Sequence, residues 1–130
     1  MMVVSKIVMS QLAALCLVLV SSAALAVSEE KEIERGAKEH QKIVSQFGVY
    51  PDEQLSTYID RVGQRLAKES SRPNLKYTFT VLNDDMINAF ALPGGFIYIT
   101  RGMLMHLNSE SELAAVLGHE IAHVTEKHAL

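Results

Sequence analysis

The chain has 130 residues, with 12 basic and 15 acidic side chains that give a formal net charge of −3. This length allows one small domain or part of a larger one. The sequence has no basic patch and no aromatic residues interleaved with basic ones, so nucleic acid is not an expected partner.

The first 26 residues have the pattern of a secretory signal peptide. Lys6 gives a weakly positive start, residues 12–20 are all apolar, and Ala24-Leu25-Ala26 matches an A-x-A cleavage site. The apolar stretch is shorter than the ~20 residues that a membrane-spanning helix needs. We predict a signal peptide over residues 1–26 and a mature chain over residues 27–130, with an uncleaved anchor as the alternative.

Cys16 is the only cysteine, and it lies inside the predicted signal peptide. Lipidation of Cys16 is not expected, because Leu15 precedes it where a lipoprotein has a small residue. The mature chain would then have no disulfide and no thiolate zinc ligand. Export without disulfides favours a bacterial envelope compartment.

Two helices are predicted at the start of the mature chain. Residues 28–47 have acidic side chains in the first turn and an apolar stripe that ends at Gly48, a plausible C′ glycine. Tyr50-Pro51-Asp52-Glu53 restarts the chain as a second helix, followed by a loop at residues 70–74. The apolar face of the second helix consists of Leu55, Tyr58, Ile59, Val62 and Leu66.

From Leu75 the apolar period changes to two, which predicts a strand. Residues 83–85 form a turn, residues 87–92 a short strand, and Pro93-Gly94-Gly95 a second turn before the strand Phe96–Thr100. Residues 101–107 are a short helix. The order predicts an α+β fold with a small, mostly antiparallel sheet beside the last helix.

The last helix is predicted to be mostly buried. Ser109-Glu110-Ser111-Glu112 has the form of a capping box, with Asn108 as a competing N-cap. Its apolar residues recur at helical spacing and are Leu113, Val116, Leu117, Ile121 and Val124. Gly118 in the helix interior predicts close approach of another part of the molecule.

His119-Glu120-Ile121-Ala122-His123 lies in this helix. Residues i and i+4 are about 40° apart around a helix and one turn along it, so two imidazoles can converge on one zinc ion. Glu120 lies beside the metal, where its carboxylate can take a proton from a zinc-bound water. The alternative, a helical scaffold with a chance motif, is opposed by the predicted burial of the helix.

Other candidate ligands are predicted to have structural roles. His128 would face away from His119 if the helix continues, and Glu126 lies two turns from His119, so a surface or supporting role is favoured. His106 is expected to pack against the core or cap a helix, and His40 to be a surface histidine that is solvated or satisfied by hydrogen bonds.

The turn residues Asp84 and Asp85 are not expected to form an acid/base pair. We expect three methionine side chains to fill space in the core or in a groove, namely those of Met86, Met103 and Met105.

Four segments carry a family resemblance: Tyr50-Pro51-Asp52, Asn88-Ala89-Phe90-Ala91-Leu92-Pro93-Gly94-Gly95, Tyr98-Ile99-Thr100-Arg101-Gly102 and Gly118-His119-Glu120-Ile121-Ala122-His123-Val124. Together they resemble peptidase family M48, the gluzincin family of HtpX-like, BepA-like and Oma-like proteases, and most of all its exported bacterial members. The resemblance runs from about residue 29 to the last residue. It implies a zincin-like fold, Zn²⁺ bound by His119 and His123, and Glu120 as the catalytic acid/base.

The same resemblance implies a metalloendopeptidase in the periplasm or envelope of a Gram-negative bacterium, with misfolded or unassembled proteins as substrates. In that family the third zinc ligand is a glutamate from a later helix, and a residue that stabilises the transition state also lies downstream. Neither matches a position in this sequence. We therefore expect residues 27–130 to be the N-terminal part of the catalytic domain, inactive as given, with a non-catalytic protein-binding fragment as the alternative. Membrane association of the full-length protein and its oligomeric state stay open.

An extended substrate is predicted to pair with an exposed sheet edge. Phe96–Thr100 is the strand expected to supply this edge, because Pro93-Gly94-Gly95 frees its start and the chain then leads to the zinc helix.

Overall fold

The computed structural model describes residues 2–126, and the side chains of residues 24–26 and 28–126 among them. The elements follow in the order α1 (Met2–Phe47), α2 (Glu53–Lys68), β1 (Thr78–Leu82), β2 (Ala89–Leu92), β3 (Phe96–Thr100), α3 (Arg101–His106) and α4 (Glu110–Glu126). The chain separates into two compact units, Met1–Lys31 and Glu32–Leu130. The element order confirms the predicted α+β class, and the second unit contains the zinc motif.

α1 begins earlier than predicted, at Met2 instead of residue 28. The residues before Gly36 include no glycine or proline and are rich in leucine and alanine, which favour a helix. α1 ends where predicted, because Gly48 follows it with φ +76° and donates its N–H to the carbonyl oxygen of Val44 at 2.9 Å. None of the described helices is long and apolar enough to cross a membrane. Cleavage after Ala26 stays a prediction.

α2 confirms the second predicted helix. Asp52 caps it, since its carboxylate accepts the N–H of Leu55 at 2.9 Å. The predicted apolar face contacts β1 and α4. Its members are buried or packed against the core: Leu55, Tyr58, Ile59, Val62 and Leu66.

The three strands form one mixed sheet in the order β1-β3-β2. β3 pairs in parallel with β1 over its whole length and antiparallel with β2. The prediction of a mostly antiparallel sheet is therefore wrong for the β1–β3 pair. The prediction that Phe96–Thr100 offers a free edge is wrong too, because β3 is the central strand. Among the described residues the outer edge of β2 has no strand partner.

Residues 83–88 connect β1 to β2 by crossing the end of β3, and Thr100 holds them there. The Thr100 hydroxyl donates to the carbonyl oxygen of Met86, accepts the N–H of Asn88 at 3.2 Å and also caps the first turn of α3. Gly102 allows the closest approach, because a Cβ at this position would overlap the carbonyl of Asp85. The crossover is thus bound to the start of α3.

The turn Pro93-Gly94-Gly95 joins β2 to β3 and packs against α1. Gly94 and Gly95 have φ angles of +88° and +90°, which glycine adopts without steric cost. A Cβ on Gly94 would lie 2.7 Å from the Cα of Ile33, and a Cβ on Gly36 would overlap the carbonyl oxygen of Pro93. Helix and turn therefore meet backbone to backbone, which accounts for the small residues on both sides.

α4 contacts α2, β2 and β3. Ser109 Oγ accepts the N–H of Glu112 at 3.1 Å, and the Glu112 carboxylate accepts the N–H of Asn108 at 2.6 Å, so both predicted capping side chains are engaged. The buried apolar residues of α4 are Leu113, Leu117, Ile121 and Val124. The predicted close approach at Gly118 is wrong for the described residues, because a Cβ there would meet no atom within 4 Å. Gly118 lies beside the buried stripe of α4, not on it.

The two helical glycines Gly102 and Gly118 should respond in opposite directions to alanine. Gly102→Ala should lower the free energy of unfolding by about 1–3 kcal/mol, since the new methyl group overlaps the Asp85 carbonyl. Gly118→Ala should raise it by up to about 1 kcal/mol, since alanine favours a helix interior and finds open space. Urea denaturation of both variants measures the difference. Equal effects of the same sign would contradict this description of the two contacts.

Candidate metal centre

α4 places the imidazoles of His119 and His123 one turn apart on the same side. Their Nε2 atoms lie 3.0 Å from each other, and the ring planes meet at 89°. Two zinc–nitrogen bonds of about 2.0–2.1 Å at a tetrahedral angle separate the nitrogens by about 3.3 Å. The two side chains therefore fit one zinc ion after a change of about 0.3 Å in their separation.

Glu120, between the two histidines in the chain, is buried with 8% of its surface exposed. Burial raises the pKa of the Glu120 carboxyl above its ordinary value, and positive charge on His123 and His119 opposes the rise. A carboxyl group with a raised pKa beside two imidazoles is suited to accepting a proton and returning it.

A groove of about 380 Å³ opens beside Glu120, between α4 and the start of β2. Its walls are mostly apolar. They are formed by Ile87, Ala89, Met103, Ala115 and Val116, together with the polar residues Asn88, His119 and Glu120. The start of the free-edge strand and two motif residues, His119 and Glu120, therefore share one open groove.

Among the side chains that the structure describes, in residues 24–26 and 28–126, no third ligand accompanies the two histidines, and no group of three or more His, Cys, Asp or Glu could hold a metal. Glu126 is exposed at the last residue of α4. The predicted outward direction of His128 falls on a residue outside the described part of the chain.

The other two histidines in the described part of the chain, His40 and His106, have polar partners within the fold. His40 is half-buried, its Nδ1 lies 2.7 Å from the Tyr98 hydroxyl, and its ring stacks on Phe96 with centroids 5.1 Å apart. The satisfied role predicted for His40 is thus confirmed, although its contacts are with the sheet. The Nδ1 of His106 lies 2.9 Å from the carbonyl oxygen of Gly102, one helical turn earlier, which agrees with a capping role.

The turn role of Asp84 is confirmed, because its carboxylate accepts the N–H of Met86 at 3.1 Å. The prediction for the methionines holds for Met103, which packs against the core and lines the groove. It is wrong for Met86 and Met105, whose exposures are 66% and 79%. Met86 lies in the crossover loop, and the short helix α3 buries too little surface to cover Met105.

The sequence predictions miss a buried ion pair between Arg72 and Glu32. Arg72 Nη1 lies 3.0 Å from a carboxylate oxygen of Glu32 and also donates to the carbonyl oxygen of Val124 at 3.3 Å. The two charged residues are 40 positions apart in the chain. No local pattern indicates this pairing, since one residue lies in a helix and the other in a loop.

Comparison with known proteins gives both a family and individual relatives. The model of Peptidase family M48 matches residues 53–130. A Vibrio cholerae protein, named provisionally as a beta-barrel assembly-enhancing protease, is 45% identical over 80 residues, which are 62% of this chain and 16% of that protein. The beta-barrel assembly-enhancing protease of Yersinia pestis is 33% identical over 108 residues, 83% of this chain and 22% of the relative. The mitochondrial metalloendopeptidase OMA1 of Schizosaccharomyces pombe is 36% identical over 93 residues, 69% of this chain and 28% of the relative.

The chain spans 16% to 28% of the length of these curated relatives. The family match nevertheless extends over more than half of the chain and includes α2, the whole sheet and the motif helix α4. The chain belongs to peptidase family M48.

Proposed function

We propose that this chain provides the metal-binding part of a zinc-dependent metalloendopeptidase, with His119 and His123 as zinc ligands and Glu120 as the acid/base. The observation that carries this proposal is the 3.0 Å convergence of the two Nε2 atoms next to a buried carboxylate in an open groove. The relatives named as proteases and metalloendopeptidases support the reaction class.

Zinc, when bound, would polarise the scissile carbonyl and lower the pKa of a bound water towards about 7. Glu120 would accept the proton of that water and later deliver it to the leaving amine. Burial of Glu120 favours this role, because a raised carboxyl pKa would allow the group to hold the proton between the two steps. His119 and His123 would hold the zinc, and the helix that carries both of them fixes their spacing.

Catalytic zinc sites use three protein ligands, and the described residues provide two. In this proposal the third ligand lies outside the described residues. The family resemblance suggests a glutamate on a later helix.

Substrate would bind as an extended strand along the free edge of β2. Asn88 accepts the N–H of Thr100 at 3.0 Å, so its backbone bonds towards β3. Residues of an antiparallel strand alternate between bonding inward and outward, so Ala89 and Ala91 direct their backbone groups to the free edge. A peptide added there would lie beside the groove and be held mainly through its backbone, which suits unfolded or unassembled protein substrates.

The protein would act outside the cytoplasm, in the periplasm or envelope of a Gram-negative bacterium. The signal-peptide pattern of residues 1–26 supports export. The names of the bacterial relatives, which refer to β-barrel assembly, agree with an envelope location.

Glu120→Gln in the full-length enzyme should lower kcat by about 10²–10⁴-fold, because the amide cannot accept the proton of the attacking water. Zinc content should stay at the wild-type level, since Glu120 is not a ligand in this proposal. His119→Ala is the matched control and should lose zinc together with activity. Peptidase assays and metal analysis of both variants test the assignment, and full activity of Glu120→Gln would refute it.

Ala91→Pro should raise KM for an extended peptide about fivefold, which corresponds to one lost hydrogen bond of about 1 kcal/mol. Proline removes an outward N–H of an edge strand without disturbing the bonds to β3. Ala91→Val keeps that N–H and serves as the control. Steady-state kinetics decide the matter, and an unchanged KM in a folded Ala91→Pro variant would exclude this edge.

The 130-residue chain by itself should hold zinc only weakly, because the residues that the structure describes provide two protein ligands, fewer than a catalytic site needs. Dialysis against a chelator should remove the metal, and casein should not be cleaved. One tightly retained zinc per chain with chelator-sensitive turnover would contradict this expectation. In that case Glu126, or a ligand from a second copy, would have to complete the site.

A further inference from the structure

A cation from outside α4 contacts the helix backbone in its last described turn. Val124 lies in this turn, directly after His123. Arg72 Nη1 donates to the Val124 carbonyl oxygen at 3.3 Å.

Arg72 is itself held by Glu32 of α1. The guanidinium and the carboxylate pair through two parallel bonds of 3.0 and 3.1 Å, and the two side chains are only 14% and 7% exposed. Glu32 also accepts the N–H of Gly94 at 3.2 Å. One network therefore joins α1, the β2–β3 turn, the loop after α2 and the last turn of the motif helix.

We propose that Arg72, oriented by Glu32, is a positioning residue for the zinc-binding end of α4. His123 directly precedes Val124, so a displacement of the last turn would move the Nε2 of His123 relative to that of His119. This inference rests on the proposed function for the role of the two histidines. Glu32 precedes the region that the family model matches, which begins at residue 53. Glu32 lies in the segment that follows the predicted signal peptide. This segment would thus have a structural role, because it supports the metal site.

The alternative is an ion pair that contributes to overall stability without a specific effect on α4. Removing one partner of a buried pair leaves an uncompensated charge, so a general loss of stability is expected in either case. A second arginine offers a comparison, because Arg65 pairs with Glu110 in the first turn of the same helix, with both side chains exposed. Arg65 and Arg72 therefore contact opposite ends of α4.

The experiment compares Arg72→Met, Arg72→Lys and Glu32→Gln with the control Arg65→Met in the full-length protein. Zinc affinity is measured by competition with a chromophoric chelator. Backbone amide hydrogen exchange along α4 is measured in the metal-free protein, so that one result does not depend on zinc. Arg72→Lys keeps a positive charge beside Glu32 but loses the guanidinium fork.

Arg72→Met should weaken zinc binding about tenfold, as is typical for the loss of a residue that supports a metal ligand. Exchange should become faster in residues 123–126 by a larger factor than in residues 113–117, which respond only to the general loss of stability. Glu32→Gln and Arg72→Lys should show smaller changes in the same places, and Arg65→Met should bind zinc within about twofold of wild type. If Arg72→Met does not fold, Arg72→Lys decides the question.

Unchanged zinc affinity and unchanged exchange in the last turn would overturn the proposal. So would exchange that rises uniformly through the domain, because that outcome indicates general stability only. A wild-type protein that binds no zinc would refute the proposed function instead, while the exchange comparison would still show whether Arg72 holds the end of α4.

Discussion

The connection from β1 to β2 has to cross the end of β3, and the candidate site depends on how this crossover is held. The Thr100 hydroxyl bonds to the crossover and also caps the start of α3. Gly102, which has no side chain, lets the backbone of α3 contact the backbone of the crossover. β3 is thereby enclosed between two strands, and β2 becomes the free edge. Ala89, at the start of β2, then lies in the groove beside Glu120. The strand order thus decides which strand has a free edge beside the groove.

Glu32 and Glu120 are both buried, but their surroundings suit them to different tasks. Glu32 accepts hydrogen bonds from the guanidinium of Arg72 and from the N–H of Gly94. Glu120 lines an open groove, and burial raises the pKa of its carboxyl. The first carboxylate therefore joins elements of the fold, whereas the second faces the groove, as the proposed proton transfer requires. Burial alone would not have distinguished them.

Local signals were sufficient for most of the helices and for the convergence of His119 and His123. Gly48 ends α1, Asp52 caps α2, and the apolar spacing of α4 gives its buried face. The pair His119 and His123 follows from the sequence because one helix carries both residues. A spacing of four places them on one side of any regular helix, whatever packs around it.

The sequence by itself thus determined the element types, the C-terminal end of α1, the N-terminal cap of α2 and the positions of the three motif residues in one helix. The tertiary structure decided the order β1-β3-β2, the open space beside Gly118 and the ion pair between Arg72 and Glu32. Each of these depends on contacts between segments far apart in the chain. Hydrophobic periodicity reports which side of an element is buried, but it does not report which distant element buries it.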